Sequence, residues 1–220
     1  MTNNISRDDK MINIIIIGDS GHSKVIEDII NTYENYNIIA KLDDKYKGLH
    51  QVENLFKGPT DSIYELLEKN CNCKVIIAIG ANKIREKIVM KLKLNHDDYL
   101  TIVHPSAIVS DTSILGVGTV VMPNAIINAS ASVGHHAIIN SGAIVEHDCV
   151  IDNFVHISPS ATVAGSVHLN EGVHLGVSAS VIPLKKVGEW TVIGAGAVVT
   201  ENIPPNVTAV GVPARVIKER

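Results

Sequence analysis

From Val133 to Val199 every sixth residue is aliphatic: Val133, Ile139, Val145, Ile151, Ile157, Val163, Leu169, Leu175, Val181, Val187, Ile193 and Val199. A helix repeats near 3.6 residues and a strand every two, so neither alone produces a strict six. The fourth residue after each aliphatic one is small or compact: Ala137, Ala143, Cys149, Val155, Ala161, Val167, Val173, Ala179, Thr191 and Ala197. Lys185, in an expected loop, is the exception. One wedge and one smaller inward residue per flat side describe a narrow three-sided prism in which positions eighteen apart stack. Each turn then buries its apolar edge on the next. Ile102, Ile108, Ile114, Val120 and Ile126 keep the same period one residue out of phase, which predicts an inserted residue at a corner near residues 130–132. The whole repeat amounts to about five to six turns, roughly 25 Å at about 4.8 Å per turn.

Before residue 101 the pattern changes. Strands are predicted over 12–17, 38–42 and 75–79, and helices over 23–33, 62–69 and 83–94. Such alternation argues for a parallel sheet with right-handed crossovers, a small Rossmann-like α/β domain over residues 11–100. Residues 1–10 read as a polar, disordered tail, and residues 101–220 as the repeat with a C-terminal tail. Ligands in parallel sheets sit beyond the carboxyl ends of the strands. Three loops converge there, carrying Gly18, Ser20, Gly21 and His22, then Asp43, Asp44 and Lys45, then Gly80 and Asn82. Gly18-x-x-Gly21 lacks the third glycine of the dinucleotide fingerprint, so that reading is rejected. Two glycines at a helix N-terminus still suit a phosphate. A turn that needs glycine only for its backbone, and a solvated Asp43-Asp44 pair, remain the plain alternatives.

A net charge of −4 gives no basic footprint for nucleic acid. The apolar run 14–17 is too short for a signal sequence or a membrane span, so no membrane insertion is expected. Cys71, Cys73 and Cys149 form no metal pattern, and Cys149 is predicted to point into the prism. A reduced, cytoplasmic setting fits.

Several motifs are specific. Gly18-Asp19-Ser20-Gly21-His22-Ser23-Lys24-Val25, Leu42-Asp43-Asp44 and Ile77-Ala78-Ile79-Gly80-Ala81-Asn82-Lys83-Ile84-Arg85 resemble the N-terminal domain of a bacterial sugar acyltransferase family. The likeness continues through His104-Pro105-Ser106-Ala107 and ends with Gly211-Val212-Pro213-Ala214-Arg215. The family includes UDP-4-amino-sugar N-acetyltransferases of the bacillosamine type and sialic acid O-acetyltransferases. The resemblance implies a left-handed parallel β-helix of hexapeptide repeats, a homotrimer, and acetyl-CoA in the groove between neighbouring prisms. It also implies a UDP-amino-sugar held by the N-terminal domain.

His147 stands in Val145-Glu146-His147-Asp148-Cys149, near a prism corner, with Gly165 eighteen residues later leaving space over the ring. An imidazole oriented by a carboxylate suits a general base, since histidine titrates near neutral pH. The family places its catalytic histidine in such a run, which carries the role to His147. Asp148 is the first choice for the orienting carboxylate and Glu146 the second. By the same resemblance His156 lies near the acetyl group and the cofactor, although its stacking under His174 also fits a simple ladder. Gly165, Gly176, Gly194 and Ala195 would let pantetheine lie close to the backbone, Arg215 would meet CoA phosphates, and Asn128 and Asn140 would make polar contacts near the groove. His135, His136 and His168 read as solvated corner or flat-face residues.

With no cysteine placed for acylation, direct transfer is expected, and the resemblance implies as acceptor the C4 amine of a UDP-4-amino-4,6-dideoxy sugar. O-acetylation of a sialic acid or a related sugar is the alternative. No metal is expected. A zinc carbonic-anhydrase-like trimer and an inactive scaffold are the remote alternatives, the first because the histidine spacings do not reproduce its ligands.

Overall fold

Four consecutive isoleucines, Ile14 to Ile17, have no exposure, because β1 (Ile12–Ile17) is an inner strand of a sheet covered on both faces. The structure, a computed structural model, describes residues 11–70 and 72–219. The expected tail at residues 1–10, and Cys71, lie outside the described residues. After β1 come α1 (Gly21–Ile30), β2 (Tyr36–Leu42), β3 (His50–Val52), β4 (Leu55–Gly58), α2 (Ile63–Lys69), β5 (Cys73–Ile77) and α3 (Asn82–Leu92). The sheet order is β3-β4-β2-β1-β5, parallel except for the β3–β4 hairpin. That hairpin is absent from the sequence reading. Its outer strand is short and fully exposed, and therefore carries no apolar alternation. Gly18 ends β1 at φ +107°, and a Cβ there would meet the Ala78 carbonyl at 2.9 Å, so the turn requires glycine.

From Ile102 onward the chain forms two-residue strands every six residues, and these stack into three parallel sheets. One face runs through Ile102–Val103, Val120–Val121, Ile138–Ile139, His156–Ile157, His174–Leu175 and Val192–Ile193, and is extended by the strands Val207–Val210 and Arg215–Glu219. A second face holds Ile144–Val145, and the third holds Val150–Ile151 and His168–Leu169. The predicted wedges and small residues line the interior; the small column, including Cys149 and Thr191, has no exposure. At about 1.5–3 kcal/mol per buried aliphatic side chain, the wedge column contributes more than strands of two residues could. Corners repeat too: a left-handed residue occurs every sixth position from Gly118 to Gly196, Asp148 among them at φ +58°.

The predicted insertion near residues 130–132 does not exist. Pairing is offset by eighteen from Ile102 to Val199, with Ile102 opposite Val120, Ile126 opposite Ile144 and Ser132 opposite Val150. The inward phase continues back from Val133 through Ile127, Val121, Leu115, Val109 and Val103. The first hexads carry aliphatic residues side by side, so the period alone fits two phases, and the outward one produces the apparent slip. Ile108 and Ile114 are in fact 64% and 67% exposed.

Helices α1 and α3 both pack on the prism. Ile26, Ile29 and Ile30 of α1 pack with Ile102, Val120 and Met122, which explains why the outward aliphatic residues of that face are buried. Helix α3 lies along the corner entering the same face and meets successive rungs of one stack. Arg85 donates to the carbonyls of His136 (2.8 Å) and Phe154 (2.7 Å), Asn82 to that of Gly172 (3.1 Å), and the Lys83 ammonium sits over the Trp190 ring.

Candidate functional site

The predicted site residues fall into three groups. The first is the corner between the second and third faces. There Nδ1 of His147 lies 2.8 Å from Oδ2 of Asp148, and both side chains are about 60% exposed. The left-handed corner that Asp tolerates turns its carboxylate back onto the preceding ring. A carboxylate oxygen accepts, so Nδ1 carries a proton, and in a neutral ring Nε2 is then bare. A Cβ on Gly165 would stand 2.7 Å from Cε1 and Nε2 of His147, so glycine one coil above keeps that edge clear. Glu146 makes no such contact with the ring; it stacks at the corner with Asn128 one coil below, since Asn128 donates its backbone N–H to Val145.

The second group lies on the first face and the corner that follows it. His156 is 9% exposed. Its Nδ1 is 3.2 Å from the Gly80 carbonyl and its Nε2 3.1 Å from Nδ2 of Asn140. It stacks on His174 at 4.8 Å between ring centroids, and His174 meets Ser158 at 2.9 Å. Burial, then the charges of His174 and Arg85, push His156 down to about 3, so it is neutral. His22, from the first turn of α1, faces this ring at 6.4 Å between centroids. Burial and Arg85 hold it at about 4, and its Nε2 is buried without a hydrogen-bond partner. Asn82 is committed to the prism carbonyls of Gly172 and Val173. Gly176 and Gly194 are required where a Cβ would strike Ala195 N and Val210, both at 2.7 Å, while Ala195 is exposed. Arg215 is exposed and lies 3.8 Å from Glu201.

The third group stands at the carboxyl ends of β1 and β2. Asp43 accepts from the N–H of Asp19 (2.9 Å) and of Lys45 (3.0 Å), tying the two loops together; Asp44 accepts from the N–H of Thr60. Ser20 and Gly21 are exposed at the start of α1, with open space around Gly21. The sequence reading missed Asp19. Burial opposes its charge, but hydrogen bonds from Tyr46 and Lys57 and the charges of Lys57 and Lys45 outweigh this and bring it to about 2. Nothing in the local motif signals these partners, which arrive from β4 and the loop after β2.

Of the histidines read as solvated corner or flat-face residues, His136 differs from expectation. His136 is buried, stacked on Phe154 and edge-on to Tyr99, because it fills the space left by Gly118. His168 is paired with Asp152 at 3.1 Å through Nε2, a second imidazole–carboxylate pair on the third face. Among the described residues no three side chains are grouped to hold a metal ion, and no helix is long and apolar enough to cross a membrane.

The chain is similar to known proteins. Residues 13–92 match the family described as the PglD N-terminal domain. The chain is 45% identical over 110 residues to UDP-N-acetylbacillosamine N-acetyltransferase of Bacillus subtilis, covering 50% of this chain and 51% of that one. The chain thus spans about half of this curated relative, and 23% of the Escherichia coli galactoside O-acetyltransferase that it matches at 51% identity over 47 residues. Among solved structures, PerB of Caulobacter crescentus, in complex with CoA and GDP-perosamine, is 34% identical with a TM-score of 0.85 over 94% of this chain and 97% of that one. The acetyltransferase domain of PglB from Neisseria gonorrhoeae, in complex with acetyl coenzyme A, is 32% identical with a TM-score of 0.84 over 94% and 100%.

Proposed function

Because the chain belongs to the bacterial sugar acyltransferases of the left-handed β-helix, hexapeptide-repeat class, we propose that it transfers acetyl from acetyl-CoA to the amine of a nucleotide-linked amino sugar. The acceptor we favour is the C4 amine of a UDP-4-amino-4,6-dideoxy sugar. The observation that carries this reading is the His147–Asp148 pair, with Nε2 bare beneath Gly165. Nε2 accepts a proton from the amine as its nitrogen attacks the thioester carbon, and N–H donors in the groove receive the charge on the oxyanion. The carbon–sulfur bond then breaks, and the CoA thiolate takes up the proton. Cys149 is wholly buried, which favours direct transfer over an acyl-enzyme.

The His147 corner and the His156 face lie on opposite sides of one prism. A site that unites them takes two copies of the chain, His147 from one and His156, Asn140 and the α/β loops from the other, as in a trimer with acetyl-CoA in the groove between prisms. On this reading the bare Nε2 of His22 is a contact for the sugar, and the loops bearing Gly18, Ser20, Gly21, Asp43 and Asp44 hold the nucleotide. Arg215 lies towards the CoA phosphates.

Thiol release from acetyl-CoA tests this, with UDP-4-amino sugars of both C4 configurations, free sialic acid and its CMP ester as acceptors. A GDP-4-amino sugar belongs in the panel because PerB was solved with GDP-perosamine. Turnover with a nucleotide amino sugar, lost in His147→Ala and kept in His168→Ala, is the expected result. Turnover with sialic acid alone moves the enzyme to O-acetylation, and full activity of His147→Ala refutes the base.

A further inference from the structure

We propose that Arg85 is a positioning residue for this site: by holding the Gly80 carbonyl it fixes which nitrogen of His156 carries the proton, and thereby turns an amide N–H of Asn140 toward the groove. The kinetic part rests on the acetyl-transfer reading above; the structural part rests on hydrogen-bond counting. Arg85 is 1% exposed, and its five N–H hydrogens face five acceptors. Nε donates to His136 O (2.8 Å), Nη1 to Ile79 O (2.9 Å) and Gly80 O (3.2 Å), and Nη2 to Asn82 Oδ1 (3.1 Å) and Phe154 O (2.7 Å). The Gly80 oxygen is thus fixed between the α/β unit and the prism, with its remaining lone pair on Nδ1 of His156. A carbonyl only accepts, so Nδ1 carries the hydrogen, and in a neutral ring Nε2 is then an acceptor.

The opposite end of the chain agrees. The N–H of Ser141 donates to Oδ1 of Asn140 at 2.8 Å, which leaves the amide nitrogen facing Nε2 of His156 at 3.1 Å. Donor meets acceptor at every step from Arg85 through Gly80, His156 and Asn140 to Ser141. Moving the ring proton to Nε2 would set two donors head-on and force the Asn140 amide over, at the cost of its bond to Ser141. In the arrangement held by Arg85, one hydrogen of the Asn140 amide goes to His156 and the second remains for an oxygen in the groove, where acyl transfer develops negative charge. Lysine carries three donors on a single nitrogen and cannot span these acceptors.

Long-range proton–nitrogen correlation spectra of the full chain labelled with 15N-histidine read the tautomer directly, with His156→Gln giving the assignment. The wild type is expected to show His156 as the Nδ1–H form. Arg85→Lys is expected to populate the Nε2–H form and to lower kcat on the order of 100-fold, with KM for both substrates little changed. A wild-type ring in the Nε2–H form overturns the proposal. So does an Arg85→Lys protein that loses activity with its ring still purely Nδ1–H, or one that shifts tautomer with kcat intact. Should Arg85→Lys not fold, Asn140→Asp serves: the Gly80 carbonyl held by Arg85 is expected to keep a hydrogen on Nδ1 even opposite a carboxylate, and a ring that moves its proton from Nδ1 to Nε2 overturns the proposal. The spectra need no substrate, so they stand or fall separately from the acceptor panel.

Discussion

A single methyl group at Gly165 separates a poised imidazole from a packed one. In Gly165→Ala the new Cβ would stand 2.7 Å from both Cε1 and Nε2 of His147, where ordinary contact begins near 3.4 Å. The ring must therefore withdraw by about 0.7 Å, a shift of the order that costs up to 100-fold in positioned catalysis. Gly165 is not among the left-handed residues, so its backbone accepts alanine. His147 and Asp148 are both largely exposed, and the ring yields without disturbing the core. Stability should thus change by no more than about 0.5 kcal/mol, while kcat/KM falls roughly 10- to 100-fold, about 1.4–2.7 kcal/mol of transition-state stabilisation. Thiol release under second-order conditions, beside a urea melt of the same preparation, separates the two effects. Full activity would refute the placement of the base at this corner. A loss of several kcal/mol in stability would instead show that the ring is packed against Gly165 as core.

Stability should also fall with acid in a defined window. His22, His136 and His156 are held at about 4, 4 and 3 against 6.5 for an exposed imidazole. Above pH 6.5 both states are neutral and the contribution is whole. Below it the unfolded chain takes up protons that the folded chain refuses, so the urea midpoint drops as pH falls from 6.5 toward 4. His136→Phe, whose ring fits between Tyr99 and Phe154, should remove about one proton from that dependence; an unchanged slope would refute the assignment. Asp19→Asn deprives Lys41, Lys45 and Lys57 of their shared carboxylate, and should lower the unfolding free energy by about 1–3 kcal/mol at pH 7, read as a lower urea midpoint, while flattening the acid dependence below pH 4. A midpoint equal to wild type would mean that the cluster is solvated and contributes nothing.

The prism was legible because its constraint is local and repetitive: one wedge and one small residue per side, repeated without interruption. The false slip arose where Ile102-Val103, Ile108-Val109, Ile114-Leu115, Val120-Val121 and Ile126-Ile127 place two aliphatic residues together. The small column settles that choice, since Ala107, Ser113, Thr119, Ala125 and Ala131 follow the second residue of each pair by four. The His147–Asp148 contact was readable because adjacent residues at a corner share one turn. Arg85 was not: its acceptors are backbone carbonyls as far away as Phe154, which no side-chain pattern encodes. Asp19 and His168 were missed for a related reason, their partners being set by pairing between strands rather than by neighbours in sequence.

The left-handed corner stack under α3 turns the junction between the two units into a graduated scale. His136, Phe154, Gly172 and Trp190 are eighteen residues apart, and each presents the same geometry one coil higher. A helix seated on such a scale has no intermediate resting place. Its nearest alternative is a whole coil away, roughly 4.8 Å. The spacing between the loops at the carboxyl ends of β1 and β2 and the His147 corner is therefore counted in integers. Removing eighteen residues within the stack should lower the later rungs by one whole coil and preserve the scale, whereas removing six would rotate every later rung by one face and erase it.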